Sequence, residues 1–422
     1  MSGWIPLTIE AVTVFALARA LAGRSRRWVL VTLPGAVIAG ILAVVVARWS
    51  MGNLGVASEP APWPLWLWVG LTGLAVVVMA AGWPGADGDR RGRTLFAASF
   101  CLLSVGLTVN GWIGYSPTVY AAWNQLTDGD LPGETDWATV VAMQGGPLPD
   151  RGAVVRVDIN ADASAFEHRE ELVYLPPAWF ASVPPPRLPA VMMIGGQFND
   201  PADWLRAGDA ITTLDDFADA HGGNAPVAVF VDPSGAFTND TECVNGPRGR
   251  AADHLTMDVV PQMIAKFGVR ARWGVVGFSS GGTCAVDLAV MHPAMFGAFV
   301  DIAGDRGPNA GTKAQTIDRL YGGDESAWNT FDPTTVMTRH GEYTDVAGVF
   351  AVPESSAADS EAATALCDVG AAQRIDCAVV PLPGRHVWPF ASSAFEVSLP
   401  WLAGRLDTPE VPVATMPEQQ DD

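Results

Sequence analysis

Long apolar stretches dominate the N-terminal part of the chain, and short apolar runs separated by polar segments follow in the remainder. The long stretches cover Trp4–Gly23, Trp28–Arg48, Leu65–Trp83 and Thr94–Tyr115. Each is about 20 residues long, which is the length that a helix needs to cross roughly 30 Å of hydrocarbon at about 1.5 Å per residue. The pattern predicts a four-helix transmembrane anchor over residues 1–115.

Basic residues between these stretches predict their orientation in a membrane. Two groups of arginines lie in the first and third loops, namely Arg24, Arg26 and Arg27, and Arg90, Arg91 and Arg93. The second loop, residues 50–64, carries one acid and no base. Because basic loops stay in the cytoplasm, we expect a multi-pass protein of the cell membrane. Everything after Tyr115 would then lie on the extracytoplasmic side.

The region after the anchor divides by composition into three parts. Residues 116–150 are rich in Gly, Pro, Asp and Thr and are interpreted as a linker, and the polar, acidic residues 408–422 are interpreted as a disordered tail. Residues 151–407 contain eight short apolar runs: Val154–Ile159, Glu171–Leu175, Ala190–Ile194, Val227–Val231, Trp273–Gly277, Ala298–Ile302, Gly348–Val352 and Cys377–Leu382. The later runs are continuously apolar and alternate with helical patterns, which predicts a mostly parallel α/β sheet with helices on both faces.

Charge and cysteine content narrow the class of protein. The chain has 45 acidic against 25 basic residues, a formal net charge of −20, which argues against a nucleic-acid partner. Cys101 lies in an apolar stretch, whereas the other four cysteines fall in the domain expected outside the membrane. An even number there permits two disulfides. We favour Cys367 with Cys377 and Cys243 with Cys284, with free buried thiols as the alternative.

A short glycine–serine motif follows the fifth apolar run. The residues Gly277-Phe278-Ser279-Ser280-Gly281 fit G-x-S-x-G and lead directly into a helical pattern. This is the nucleophile elbow, in which a serine occupies a strained turn between a strand and a helix. Glycines two residues to either side allow the strand and the helix to approach closely. Ser280 has Phe278 rather than glycine two positions before it, so the motif predicts Ser279 as a catalytic nucleophile.

A serine nucleophile requires a base and an acid, which follow it in the chain order serine, acid, histidine. Of the six histidines, His386 follows the last apolar run in a turn that leads to the final helix. The acid should follow the seventh run, where Asp359 is favoured, with Glu354 and Glu361 as alternatives. Asp359 could also cap the helix that it begins.

Backbone N–H groups are required where negative charge develops on the substrate. One donor is expected from Ser280, which follows the nucleophile. The other is expected from the loop after the third run, which begins Gly195-Gly196-Gln197. We predict Gln197 as this donor, with Gly196 as the alternative.

Other chemistries have little support in the sequence. Asp232, Asp240 and Glu242 cluster around a turn, which we interpret as a solvated acidic loop and not as a calcium site. The chain contains no H-E-x-x-H, no paired C-x-x-C and no Walker A loop. The long segment 305–345 contains several aromatic residues and is interpreted either as a lid or acyl pocket, or as a packed helical insertion.

The chain resembles the esterase family that includes esterase D and the mycobacterial mycolyltransferases. The resemblance rests on the stretch 171–179 (ELVYLPPAW), the elbow, the Gly195-Gly196 loop, and residues 384–388, which are similar to a Gly-x-His-x-Trp pattern. It extends over about residues 150–405 and implies an α/β-hydrolase fold that needs no cofactor. The family's acid maps onto Asp359. Ile194 precedes Gly195, where the family usually has His or Asp.

These observations predict a membrane-anchored serine hydrolase that acts on a small-molecule or lipid ester through an acyl-enzyme. The mycolyltransferases are secreted and lack a four-helix anchor. Transfer of an acyl group from envelope lipids to a sugar hydroxyl is therefore the alternative activity. A third possibility, from a different class, is an inactive hydrolase-like domain that serves as a membrane-tethered binding module.

Overall fold

The computed structural model describes residues 4–22, 24–54, 61–84, 86–113 and 129–417. The chain divides into two compact units, Met1–Trp123 and Asn124–Asp422. The first unit contains four helices: α1 (Trp4–Leu21), α2 (Arg26–Leu54), α3 (Trp63–Gly82) and α4 (Gly88–Ile113). All four are long and apolar enough to span a membrane.

Small residues allow the helices of the first unit to pack closely. A Cβ atom on Gly40 of α2 would lie 2.6 Å from the carbonyl oxygen of Gly70 on α3, so the two backbones are in contact there. Thr13 of α1 and Ser104 of α4 are buried and share a hydrogen bond of 3.0 Å. Small residues and buried hydroxyl pairs are typical of helix interfaces in membranes.

The second unit is built on an eight-stranded sheet. Its strands are β1 (Ala153–Val157), β2 (Glu171–Leu175), β3 (Ala190–Ile194), β4 (Val227–Val231), β7 (Trp273–Phe278), β8 (Phe296–Ile302), β9 (Ala347–Pro353) and β10 (Asp376–Leu382). They lie in the order β1-β2-β4-β3-β7-β8-β9-β10. Strand β2 runs antiparallel to both its neighbours and the remaining pairs are parallel. The eight predicted runs all form strands, and the predicted fold class is confirmed. Two further short strands, β5 (Asn245–Gly246) and β6 (Gly249–Arg250), form a hairpin.

Helices pack on both faces of this sheet. They are α5 (Trp137–Met143), α6 (Asp203–Arg206), α7 (Ala210–Ala220), α8 (Ala251–Asp253), α9 (Val260–Phe267), α10 (Ser280–Met291), α11 (Lys313–Tyr321), α12 (Glu325–Trp328), α13 (Pro333–His340), α14 (Ala357–Ala372) and α15 (Trp388–Arg405). A π-helical turn, His254–Val259, joins α8 to α9. Large side chains such as Trp179, Phe267 and Trp273 are fully buried in the core.

Both segments flanking the predicted hydrolase domain contain ordered contacts. Helix α5 lies within residues 116–150, for which the sequence predicts a linker. Its Val140 side chain is buried, and its Trp137 ring packs edge-on against Phe267 with ring centroids 5.6 Å apart. These two apolar side chains, one helical turn apart, dock the short helix on the domain. At the other end, Thr408 is buried and its N–H donates to Ala403. Residues 116–128 of the predicted linker and 418–422 of the predicted tail lie outside the described residues.

The four cysteines of the second unit form both favoured disulfides. Cys243 pairs with Cys284, 41 residues away, and Cys367 pairs with Cys377, 10 residues away. Closing a loop of the larger size restricts the unfolded chain and stabilises the fold by between about 3 and 5 kcal/mol in the chain-entropy model. Cys101 is free and buried, as expected.

Candidate active site

Ser279 lies in the sharp turn between β7 and α10. Its backbone has φ 59° and ψ −126°, a left-handed conformation that a serine adopts only when the surrounding structure enforces it. A Cβ atom on Gly277 would lie 1.8 Å from the carbonyl oxygen of Gly281, and one on Gly281 would lie 2.4 Å from that of Ile194. The glycines on both sides of Ser279 are therefore required by close backbone contact, as the motif predicts.

The loop after β3 lies against the elbow. A Cβ atom on Gly196 would come within 2.9 Å of the Ser279 Cβ atom. The Gly196 N–H donates to the side-chain oxygen of Asn199 at 2.9 Å, and Arg169 donates to the Asn199 carbonyl at 2.8 Å. The Gly196 N–H is therefore engaged within the loop, and Gln197, the favoured donor of the sequence analysis, is the next residue.

Ser280 supplies the other predicted donor. It is the first residue of α10, and N–H groups in the first turn of a helix have no intrahelical acceptor. This end of the helix also carries partial positive charge. Both features suit a position at which an oxyanion forms beside Ser279.

His386 and Asp359 are brought together from two different loops. The His386 Nδ1 atom lies 3.5 Å from the Asp359 Oδ2 atom, and each side chain is only 12% exposed. Neither atom has a hydrogen-bond partner among the described residues. The pair is longer than a good hydrogen bond, as catalytic pairs often are in the free enzyme. The Phe278 ring packs against the imidazole with ring centroids 5.0 Å apart.

The alternative acids lie elsewhere. Glu354 is exposed, although its backbone N–H donates to Leu382, and Glu361 is exposed on α14. The N-cap of this helix is Ser356, whose hydroxyl accepts from the Asp359 N–H. The Asp359 carboxylate is consequently not needed for capping, and it faces His386.

Buried carboxyl groups surround the elbow, which corrects one prediction. Glu242 is only 6% exposed, and burial raises the pKa of Glu242, Asp240 and Asp305. The acidic cluster is therefore not a solvated loop, because Asp232 and Glu242 are buried and the Glu242 carboxyl accepts from the Asn309 N–H. Burial also raises the pKa of Asp301, at the end of β8, to about 8.

The long segment 305–345 is a packed helical insertion, built from α11, α12 and α13. Tyr321 and Phe331 are buried with their ring centroids 6.0 Å apart, beside the buried Leu320. A cavity of about 390 Å³ lies between this insertion and α14, and its lining includes Asp305 and Trp328. Ala362, one turn beyond Asp359 on α14, lines the same cavity.

One cluster elsewhere in the domain could by proximity hold a metal ion, namely His168, Glu171 and His254. His168 Nδ1 lies 2.8 Å from the Arg169 carbonyl oxygen and 3.0 Å from the Glu171 carboxylate, and its Nε2 lies 2.9 Å from the Ile159 carbonyl oxygen. Carbonyl oxygens only accept, so both ring nitrogens donate and the ring is an imidazolium. A buried ion pair explains this cluster without a metal.

This ion pair predicts a pH-dependent stability. The hydrogen bond to Glu171 raises the pKa of His168 from 6.5 to about 9. The stabilisation is complete below pH 6.5 and is lost as pH rises through 9, because the folded state then loses the proton that it bound more tightly than the unfolded chain. The unfolding temperature should fall between pH 7 and 9.5 by more in the wild type than in His168→Gln. Equal falls, or a rise on zinc addition seen only in the wild type, would contradict the ion-pair interpretation.

The sheet order, the elbow and the helices on both faces define an α/β-hydrolase. Residues 166–374 match the family model Esterase, described as "Putative esterase". This match agrees with the resemblance to the esterase family over these residues, and it supports ester hydrolysis at the level of that family.

The chain is also similar to other proteins. An uncharacterized protein of Corynebacterium glutamicum is 28% identical over 351 residues, which cover 78% of each chain. The solved S-formylglutathione hydrolase from Agrobacterium tumefaciens is similar with a TM-score of 0.51 and 16% identity, over 61% of this chain and 97% of that one. MPT51 of Mycobacterium tuberculosis aligns over 59% of this chain and 99% of that one, with 18% identity and a TM-score of 0.41.

Proposed function

We propose that this protein is a membrane-anchored serine hydrolase that cleaves carboxylic esters on the extracytoplasmic side. The observation that carries the proposal is the strained Ser279 elbow beneath the Gly196 loop. The facing His386 and Asp359 side chains supply the remaining chemistry of a triad.

Each residue has a defined role in the proposed reaction. The Ser279 Oγ atom attacks the ester carbonyl carbon while His386 accepts its proton, and Asp359 stabilises the imidazolium. The Ser280 and Gln197 backbone N–H groups stabilise the oxyanion. His386 then protonates the leaving alcohol, which leaves an acyl group on Ser279. A water molecule, deprotonated by His386, releases the acid and restores the serine.

The surroundings of the elbow suggest where the two parts of an ester bind. Phe198 in the Gln197 loop pairs with Phe237, whose side chain is 60% exposed, with ring centroids 5.2 Å apart. An exposed aromatic pair beside the oxyanion donors suits an apolar acyl group. The cavity lined by Asp305 and Trp328 also includes Ala362 of α14, the helix that carries Asp359, and we assign it to the alcohol that His386 protonates.

Hydrolysis and acyl transfer are distinguished by measuring whether the acyl group passes to water or to an added alcohol. The full chain in detergent should hydrolyse p-nitrophenyl butyrate, and trehalose or glycerol should leave the yield of butyric acid per p-nitrophenol unchanged. A fall in that yield, with formation of a new ester, would favour the acyltransferase. Neither product from folded protein would favour the inactive binding module.

Membrane sidedness gives a separate prediction. The arginines of the first and third loops favour a cytoplasmic position for those loops, and the two disulfides favour an oxidising compartment for the second unit. Alkaline phosphatase fused after Asp422 should be active, whereas green fluorescent protein at that position should be dark. Fusions made after Arg27 should behave in the opposite way. Fluorescence from the C-terminal fusion would overturn the proposed orientation.

A further inference from the structure

The two proposed oxyanion donors are connected by a chain of contacts that runs through a buried acidic turn, residues 240–243. Gln197 donates from its side-chain Nε2 atom to the Asp240 carboxylate at 3.1 Å. Three residues later, Cys243 forms the disulfide to Cys284. Cys284 lies on α10, four residues after Ser280. A covalent link therefore joins the support of one donor to the helix that carries the other.

The acidic turn needs external support to keep its shape. Glu242 and Cys243 both adopt left-handed backbone conformations, with φ 49° and 55°. Consecutive non-glycine residues in this region are strained and persist only where the surroundings hold them. The Thr241 hydroxyl donates to the Pro233 carbonyl at 2.6 Å, and the Glu242 carboxyl accepts from the Asn309 N–H at 3.3 Å. The disulfide adds the one covalent restraint on this turn.

The loop that presents Gln197 is strained as well. Phe198, the next residue, has φ 66°. The Asn199 side chain accepts from the Gly196 N–H, and the Asp240 carboxylate accepts from the Gln197 side chain. These two hydrogen bonds hold the loop in place. A backbone N–H must lie within a few tenths of an ångström of its place to stabilise an oxyanion. Small rotations of the Gln197 peptide would therefore reduce catalysis without affecting substrate binding.

We propose that Asp240 is a positioning residue that fixes the Gln197 backbone N–H in the oxyanion hole, and that the Cys243–Cys284 disulfide holds Asp240 in place. The proposal rests on the hydrolase function proposed above. It assigns a catalytic consequence to one of the two disulfides. It also gives a role to a half-buried carboxylate beside the oxyanion loop.

The test measures kcat and KM for p-nitrophenyl butyrate with the full chain in detergent. Asp240→Ala should lower kcat by about 10- to 100-fold with KM changed by less than about 3-fold, since one donor is displaced and not removed. Asp240→Asn keeps an acceptor for Gln197 and should restore most of the activity. The loss of kcat in Gln197→Ala should match the loss in Asp240→Ala. The kcat of the double variant should be no lower, because both substitutions remove the same Gln197–Asp240 hydrogen bond.

The disulfide is tested with a matched pair of variants. Cys243→Ser/Cys284→Ser should lower kcat by about 10-fold or more at unchanged KM, a smaller loss than removal of an oxyanion donor. Cys367→Ser/Cys377→Ser removes the same number of sulfurs and should keep kcat within about 3-fold, because Cys367 lies about 12 Å along α14 from Asp359. Circular dichroism checks that each variant is folded.

The outcomes separate this proposal from the proposed function. Additive losses in the double variant, or equal losses from both disulfide variants, would overturn the positioning role while leaving the hydrolase intact. Full activity in folded Asp240→Ala would do the same. If Asp240→Ala fails to fold, the positioning role is tested by Asp240→Asn and by the comparison of the two disulfide variants. An inactive wild type would instead refute the hydrolase function itself.

Discussion

Ser279→Ala is expected to lower kcat for p-nitrophenyl butyrate by at least about 10⁴-fold, to the background of the assay. Loss of the nucleophile removes the acyl-enzyme route, and the residual rate comes from the oxyanion donors and substrate binding alone. The fold should be unaffected, because alanine and serine have similar strain at φ 59°. Activity is measured with the full chain in detergent.

The matched control for this variant is Ser326→Ala. Ser326 is an exposed serine on α12, away from the elbow, so its removal should leave kcat unchanged. Ser279→Ala that retains more than about a tenth of the wild-type rate would contradict a nucleophilic role for Ser279.

Asp359→Asn is expected to lower kcat by about 10³- to 10⁴-fold. Asparagine keeps the size of the side chain but presents no negative charge to the imidazolium, and it favours the wrong tautomer of His386. The effect should fall mainly on kcat, because Asp359 faces His386 Nδ1 and not the substrate.

Glu354→Gln provides the control for the acid. Both carboxylates follow β9, but Glu354 is exposed, so its neutralisation should change kcat by less than about 2-fold, as is usual for a surface charge. A large loss in Glu354→Gln with an active Asp359→Asn would transfer the role of the acid to Glu354.

The sequence predicted the sheet and the elbow because both depend on local patterns. Runs such as Val227–Val231 are apolar throughout, as buried parallel strands require. The spacing of Gly277, Ser279 and Gly281 reflects contacts within one turn, and those contacts are present. The favoured disulfide pairs also form, although the sequence alone left free thiols open.

Features that depend on distant contacts were not predictable in the same way. Glu242 is a charged residue in a turn, and its burial depends on contacts with distant loops such as the one that contains Asn309. The engagement of the Gly196 N–H depends on the rotamer of Asn199. Asp359 and Glu354 are only five residues apart, so the sequence alone could not show which of them faces His386. The position of α14 brings Asp359 to His386 and leaves Glu354 exposed.

The central claim is that Ser279 is an activated nucleophile, and fluorophosphonate labelling tests it most directly. The full chain in detergent is treated with the reagent, its intact mass is recorded, and the modified peptide is sequenced. We expect one adduct, on Ser279, that is lost in Ser279→Ala and forms much more slowly in His386→Ala. Folded wild type without an adduct, or with an adduct on another serine, would contradict the account.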